Sequence, residues 1–188
     1  MKQQNKRPLE ALPAFGSKDG ILNVIIETPK GSPNKYKYRE DLNLYEINNV
    51  MPAGAAFPYD FGFIPNTLGE DGDPLDVLVL MDFPVFPGCL VQSRLIGVIQ
   101  ADQTKDGRTD RNDRFIAVYK KSKLYENFTA IGDIGESMLS EIEHFFVSYN
   151  FVRGREFQVL DRLDAAQAAE LIREGERKYQ SKHRKEIA

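Results

Sequence analysis

Helical periodicity appears only in the last third of this 188-residue chain. Before residue 133, apolar residues form short β-branched or aromatic runs separated by Gly and Pro, which is typical of strands. After it, Asp133 and Asp164 are candidate N-caps of two amphipathic helices. Strands are predicted at 21–27, 35–39, 44–47, 77–81, 89–99 and 114–119, with a polar loop at 101–113.

Strands that come first and helices that come last predict a mainly-β α+β fold. Short antiparallel strands close most economically as a five-stranded OB-like barrel. We therefore expect a closed barrel with two C-terminal helices packed on it. The length suits one domain, so residues 1–19 are interpreted as an N-terminal arm and 20–188 as a single barrel domain.

The composition excludes several classes of protein. A single cysteine, Cys89, cannot form an internal disulfide and favours a reducing, cytoplasmic location. No apolar run approaches the roughly 20 residues of a membrane span, and no apolar segment follows the basic N-terminus, so no signal peptide is expected. The formal charge of −3 argues against a nucleic-acid partner.

The charge is unevenly distributed along the chain. Residues 40–93 contain nine acidic and no basic side chains, so this segment carries −9 and the remainder +6. Within it lies the sequence EDGDPLD at 70–76, in which Asp71, Asp73 and Asp76 precede an apolar strand. Acidic and basic parts that meet in a fold can hold a cation and a phosphate together.

Three carboxylates this close are mutually unfavourable unless a cation or protons neutralise them. Mg²⁺ takes carboxylate oxygens and readily shares a phosphate, which makes 70–76 a candidate metal cradle. The alternative is a solvated acidic turn with Asx hydrogen bonds. An EF-hand fits less well, because Asp76 stands where that loop needs Gly and helices would have to flank it.

Five segments in order resemble the soluble family I inorganic pyrophosphatases. They are DGDPLDV, VIIETP, PNKYK, FPYDFGFIPNTLGEDGDP and HFFVSYN, and order and spacing agree over roughly residues 20–175. The resemblance implies a metal-dependent hydrolase that converts pyrophosphate to two orthophosphates with two or more Mg²⁺ ions. It also implies a homo-oligomer, which in bacterial members is usually a hexamer.

The resemblance implies roles for individual residues. Asp73 matches the aspartate that accepts a proton from the attacking water. Asn112-Asp113-Arg114 stands at the family's Asp-x-Lys, which leaves open whether Asn112 or Asp113 fills the metal position. The implied metal ligands are Asp71, Asp76, Asp102, Asp113 and Glu27, and the implied substrate-binding residues are Lys35, Lys37, Arg114, Tyr149 and Arg155.

Several positions depart from the family pattern. Lys37 replaces a glutamate, Asn49 a phosphate-binding arginine, Phe61 a tyrosine and Asn150 a lysine. The metal cradle is thus retained while the phosphate-binding side is rebuilt. Two alternatives follow: a hydrolase of the same fold that acts on another phosphoanhydride, or a catalytically weak OB-like metal-binding module.

Overall fold

The computed structural model describes residues 12–16 and 20–187. Most of the predicted arm therefore lies outside the described residues. Nine strands and two helices follow along the described chain, with a 3₁₀ helix at Ile131–Ile134. They are β1 (Leu22–Thr28), β2 (Asn34–Arg39), β3 (Leu44–Val50), β4 (Asp60–Phe63), β5 (Asp76–Leu80), β6 (Leu90–Lys105), β7 (Arg108–Arg111), β8 (Arg114–Tyr119), α1 (Glu136–Val152), β9 (Glu156–Asp164) and α2 (Ala165–Ile187).

Five strands pair in a circuit that returns to its starting strand. β1 pairs with β4, β4 with β5, β5 with β8, β8 with β6, and β6 with β1. All of these pairings are antiparallel except that of β5 with β8. β7 and β9 add to the long strand β6, and β2 and β3 form a separate hairpin. The expected mainly-β α+β fold with two helices is confirmed.

The predicted loop at 101–113 is wrong, because β6 continues to Lys105 and returns as β7. Asp106 and Gly107, with φ of 52° and 78°, form the turn, and Asp-Gly with two positive φ angles is a preferred hairpin connection. β9 was not predicted, and it places a strand between the helices. Its side chains are largely exposed, so it lacks the apolar run that identifies a buried strand.

The two predicted N-caps have different outcomes. Asp164 does cap α2, since its Oδ1 accepts the Gln167 N–H at 2.9 Å. Asp133 does not cap α1, which begins at Glu136 after Gly135. Its carboxylate instead accepts the N–H groups of Thr129 and Ala130, which stand at the N-terminus of the 3₁₀ helix that precedes α1. The predicted apolar face of α1 is buried at Ile142, Phe146 and Tyr149.

The core consists of two apolar clusters on opposite faces of β5. Leu78 and Leu80 pack in the cluster that includes α1, whereas Val77 and Val79 pack in the one that includes α2. Burial on both faces explains the uninterrupted apolar run of this strand. Because β5 is fixed from both sides, Asp76 at its first position is held firmly. Within the described residues, neither helix has the length and apolarity needed to span a membrane.

Candidate active site

A cleft of about 480 Å³ lies where the acidic loop, the β2–β3 hairpin and both helices contribute side chains. Its described lining contains six acidic and seven basic residues, together with aromatic side chains and Asn112. The charged lining residues are Glu27, Glu40, Asp41, Asp71, Asp73, Asp76, Lys35, Lys37, Arg39, Arg114, Arg153, Arg155 and Lys182.

Nine of the eleven predicted site residues line this one cleft. They come from five separate parts of the chain, so the fold assembles what is scattered in the sequence. The nine are Glu27, Lys35, Lys37, Asp71, Asp73, Asp76, Arg114, Tyr149 and Arg155. Asp102 and Asp113 are not among the residues that line it.

The acidic loop is closed at its base by a buried threonine. Thr67 Oγ1 donates to the Ile64 carbonyl at 2.6 Å and accepts the Leu75 N–H at 3.0 Å. Above it, Asp71 Oδ1 accepts the Asp73 N–H at 3.1 Å, which is the Asx turn considered as an alternative. Gly72, with φ of 87°, supplies the left-handed residue that the turn requires. The loop therefore presents its carboxylates from a fixed backbone.

Asp71 is a carboxylate that is costly to keep charged. Burial, then the charge of Asp76, raises its pKa to about 6, and the charge of Asp73 contributes in the same direction. A cation bound here would stabilise the ionised form, because an opposite charge nearby offsets both burial and like-charge repulsion.

Asp73 is bound by Lys37 from strand β2. The Lys37 Nζ lies 2.8 Å from each oxygen of the Asp73 carboxylate. Burial lowers the pKa of Lys37, but the hydrogen bond and charge of Asp73 outweigh it, so the net pKa is raised. The pair is partly exposed, with 35% of the Lys37 side chain accessible. Lys37 is thus held in the cleft by a carboxylate and not by a rigid apolar wall.

Asp76 is bound by Arg114 from strand β8. The Arg114 Nη1 lies 2.8 Å from Asp76 Oδ2, and only 4% of the Arg114 side chain is exposed. Its guanidinium lies over the rings of Phe146 and Phe157, at 4.9 and 5.2 Å from their centroids. It also donates to the Asn112 side chain. Contact with two aromatic rings and several donated hydrogen bonds hold this cation in one orientation.

Glu27 and Lys35 form a third pair on the other side of the cleft. Their charged atoms are 3.7 Å apart, and Glu27 Oε1 also accepts the Tyr38 N–H at 2.8 Å. Burial raises the pKa of Glu27 although Lys35 opposes it. The Lys35 ammonium lies 4.2 Å from the centroid of Phe61, so the phenylalanine at that position supports a cation by its ring face.

Tyr149 and Arg153 extend the cleft along the end of α1. The Arg153 guanidinium donates to the Tyr149 hydroxyl and lies over its ring. Asn150 also lines the cleft, but its side-chain amide donates to the Phe146 carbonyl at 2.9 Å within its own helix. Arg153 and Arg155 therefore supply the positive charge near this helix end.

The two predicted ligands outside the cleft are held by the β6–β7 hairpin. Asp113 accepts the Ala101 N–H at 3.1 Å and the Arg111 Nε at 2.5 Å. Asp102 lies 3.6 Å from the Arg111 guanidinium. Asn112 lines the cleft in place of its neighbour Asp113, and Gln103 in place of Asp102. Alternation along β6 turns the adjacent side chains of Asp102 and Gln103 to opposite faces. Asn112 and Asp113 lie between β7 and β8, and Asp113 lines a small adjoining pocket with Asp71 and Asp76.

Arg39 and Lys182 are basic cleft residues that sequence reasoning did not identify. Arg39 lies on β2 with Asp41 and Glu46 as partners, and Lys182 lies on α2. No local pattern marks them, because both stand in charged stretches that look like solvated surface. The path of α2 past the acidic loop, which brings Lys182 to the cleft, depends on tertiary packing.

The acidic residues of the cleft offer few ligands for a divalent cation. Among the described residues, no group of three or more His, Cys, Asp or Glu side chains converges as a metal site. Asp71 and Asp76 nevertheless fit Mg²⁺, which proteins commonly hold by one or two carboxylates while substrate phosphates and water complete the coordination. The expectation of two or more Mg²⁺ ions stays a prediction.

The chain is similar to known proteins over most of its length. The family model described as inorganic pyrophosphatase matches residues 24–180. An inorganic pyrophosphatase of Synechocystis sp. is 39% identical over 162 residues, which cover 86% of this chain and 94% of that protein. One of Thermus thermophilus is 36% identical over 168 residues, covering 88% and 94%.

Solved structures give the same result. The crystal structure of the Thermus thermophilus inorganic pyrophosphatase matches with a TM-score of 0.83 at 34% identity, covering 93% of this chain and 99% of that one. The crystal structure of an inorganic phosphatase from Anaplasma phagocytophilum matches with a TM-score of 0.81 at 33% identity, covering 89% of this chain and 98% of that one. The sequence matches, the shared fold and the aspartate-rich cleft agree, and the chain belongs to the inorganic pyrophosphatase family.

Proposed function

We propose that this chain hydrolyses inorganic pyrophosphate to two orthophosphates in the cleft described above. The observation that carries the proposal is that Asp71, Asp73 and Asp76 share one cleft with several lysine and arginine side chains. Phosphoryl transfer to water requires neutralised phosphate charge and an activated nucleophile, and these residue types meet both requirements.

The cleft's own cations would bind and orient the diphosphate. Lys35, Arg114 and Arg155 line different parts of the wall, so they can contact both phosphoryl groups. The Tyr149 hydroxyl would donate a further hydrogen bond. Arg114 is the most rigid of these groups, and a preoriented donor loses least entropy on binding.

Asp73 would accept the proton of the attacking water. The water oxygen forms a bond to one phosphorus while the bond from that phosphorus to the bridging oxygen breaks. The proton taken by the carboxylate can then pass to the departing phosphate. For this step Lys37 has to leave Asp73, and a phosphate oxygen in the cleft offers it another partner.

Mg²⁺ is the metal that the site residues Asp71 and Asp76 would hold. When bound, it would supply charge neutralisation and lower the pKa of a water molecule. Glu27, buried and paired with Lys35, would act on the electrostatics of the same cleft. The implied ligand roles of Asp102 and Asp113 stay predictions.

A second candidate is a module that binds a phosphoanhydride but turns it over weakly. The Lys37–Asp73 pair favours it, because a carboxylate held by an ammonium group is a poorer base. The substitutions at Asn49 and Asn150 leave room for a preference for a nucleotide or short polyphosphate.

Phosphate release separates these candidates. The protein is assayed with Mg²⁺ against pyrophosphate, tripolyphosphate and a nucleoside triphosphate at equal concentrations. The proposal expects the highest kcat/KM with pyrophosphate. A preference for either triphosphate would support the other phosphoanhydride, and no release from pyrophosphate at any Mg²⁺ concentration would end the proposal in favour of the binding module.

Further expectations belong to the same proposal. The five strands of the pairing circuit would form an OB-like closed barrel, preceded by an arm over residues 1–19. We also expect a homo-oligomer, a hexamer if the chain follows the bacterial pattern, and a cytoplasmic location. Light scattering of the purified protein measures the oligomeric state directly.

A further inference from the structure

The three aspartates of the acidic loop are not equally available to a cation that enters the cleft. Asp73 is held by Lys37, with both oxygens 2.8 Å from the ammonium nitrogen. Asp76 is held by Arg114, also at 2.8 Å. In the described part of the chain, Asp71 is the one of the three without a basic group within ion-pair distance.

These pairs disfavour a metal ion that arrives alone. Mg²⁺ demands near-octahedral oxygen coordination, and the free cleft offers it only one unpaired carboxylate of this loop. The ion would also lie close to two positively charged groups. Like charges about 4 Å apart repel appreciably even near a protein surface. The metal therefore has few ligands and two opposing charges before the substrate is present.

The charge of the free cleft favours a diphosphate, unlike a metal ion. The charged lining has seven basic and six acidic residues, so the described cleft carries one excess positive charge without any metal. Arg114 is buried against two aromatic rings, but Lys37, on strand β2, is partly exposed. It can turn from Asp73 to a phosphate oxygen. The phosphate oxygens, in turn, complete the ligands that Mg²⁺ lacks.

We propose that this chain binds its divalent cation together with the diphosphate and not before it, and that Lys37 sets this order. The inference rests on the proposed function for the choice of ligand. Lys37 is a positioning residue here: it occupies Asp73 in the free protein and moves to the substrate on binding. The cation binds with the diphosphate because the Lys37 ammonium leaves Asp73 only when a phosphate is present.

Calorimetry without turnover tests the order. Mg²⁺ is titrated into the full chain alone and into the chain saturated with methylenediphosphonate, which cannot be hydrolysed at its bridge, and a buffer titration corrects for Mg²⁺ bound by free diphosphonate. We expect the Mg²⁺ affinity to be at least about tenfold higher in the second titration. By linkage, Mg²⁺ must raise the diphosphonate affinity by the same factor. Equal Mg²⁺ affinities in the two titrations would overturn the proposal.

Lys37→Gln identifies the residue responsible. Removing this charge should tighten Mg²⁺ binding to the free protein by about tenfold and weaken diphosphonate binding in excess chelator. Lys37→Arg keeps the charge and should leave the Mg²⁺ affinity of the free protein at the wild-type value, and Lys120→Gln, outside the cleft, controls for loss of a lysine. Circular dichroism establishes that each variant is folded, with Lys37→Met as a second neutral variant. An unchanged Mg²⁺ affinity in folded Lys37→Gln or Lys37→Met would refute the role of Lys37.

The two proposals fail in different ways. If phosphate release from pyrophosphate is absent but Mg²⁺ and diphosphonate bind cooperatively, the proposed hydrolysis is refuted and the proposed binding order is supported. If phosphate is released but Mg²⁺ binds equally well without diphosphonate, the proposed binding order is refuted and the proposed hydrolysis is supported.

Discussion

Two acidic segments of this chain contain equal numbers of carboxylates but differ in where their counter-charges come from. The loop 70–76 has four carboxylates and no basic residue, whereas 102–113 has four carboxylates and three basic residues. In the second segment the hairpin's own arginines neutralise the aspartates, as Arg111 does for Asp113. In the first, the counter-charges come from distant strands, as Lys37 and Arg114 do. A cluster of carboxylates becomes a site when its charge is satisfied from elsewhere in the fold.

Substituting one aspartate in each segment should give the largest difference between them, and the difference is in kcat. Asp73→Asn removes the proton acceptor and should lower kcat by on the order of 10²- to 10⁴-fold, the usual contribution of a general base. Asp110→Asn in the hairpin removes only the partner of exposed Arg108, so kcat should stay within about fivefold of wild type. Steady-state phosphate release with Mg²⁺ measures both. Equal losses in the two variants would remove the distinction between the segments.

The ion pairs should differ in their contribution to stability. Arg114→Met leaves Asp76 without its partner beside a buried strand, and the free energy of unfolding should fall by about 3 kcal/mol. Arg108→Met breaks the exposed hairpin pair and should cost less than about 1 kcal/mol. Urea unfolding without substrate gives both values. A loss in Arg108→Met as large as that in Arg114→Met would contradict the account.

The smallest expected effect concerns the threonines that brace each segment. Thr67→Val removes two buried hydrogen bonds at the base of the acidic loop and should cost about 1–2 kcal/mol. Thr104→Val removes an exposed bond to Thr109 and should stay within about 0.5 kcal/mol. Thermal unfolding of the two matched variants is sufficient. A neutral Thr67→Val would mean that the loop is held by other contacts.

The sequence predicted strand positions most accurately where the strands are fully buried. β5 and β8 are apolar runs with both faces covered, so their positions were predicted within a residue. It failed at β7 and β9, whose exposed faces are as polar as a loop. The Asp-Gly turn at 106–107 was the signal that could have identified the hairpin, since two positive φ angles favour it.

The candidate site shows the same division. Segments with distinctive residues, such as EDGDPLD, led directly to Asp71, Asp73 and Asp76. The direction of a side chain was harder, because a shift of one residue along a strand turns it to the other face. That is why Gln103 of β6 lines the cleft and Asp102 does not. Ion pairs such as Lys37–Asp73 join residues 36 positions apart, and no local pattern predicts them.

The central claim is that the acidic loop carries pyrophosphate hydrolysis, and phosphorus NMR tests it most directly. Pyrophosphate with Mg²⁺ is followed in the presence of the wild-type chain and of Asp71→Asn. The account predicts that the pyrophosphate resonance is replaced by orthophosphate with wild type and persists with Asp71→Asn. A pyrophosphate signal that persists with the folded wild-type chain, or that is lost equally fast with Asp71→Asn, would contradict it.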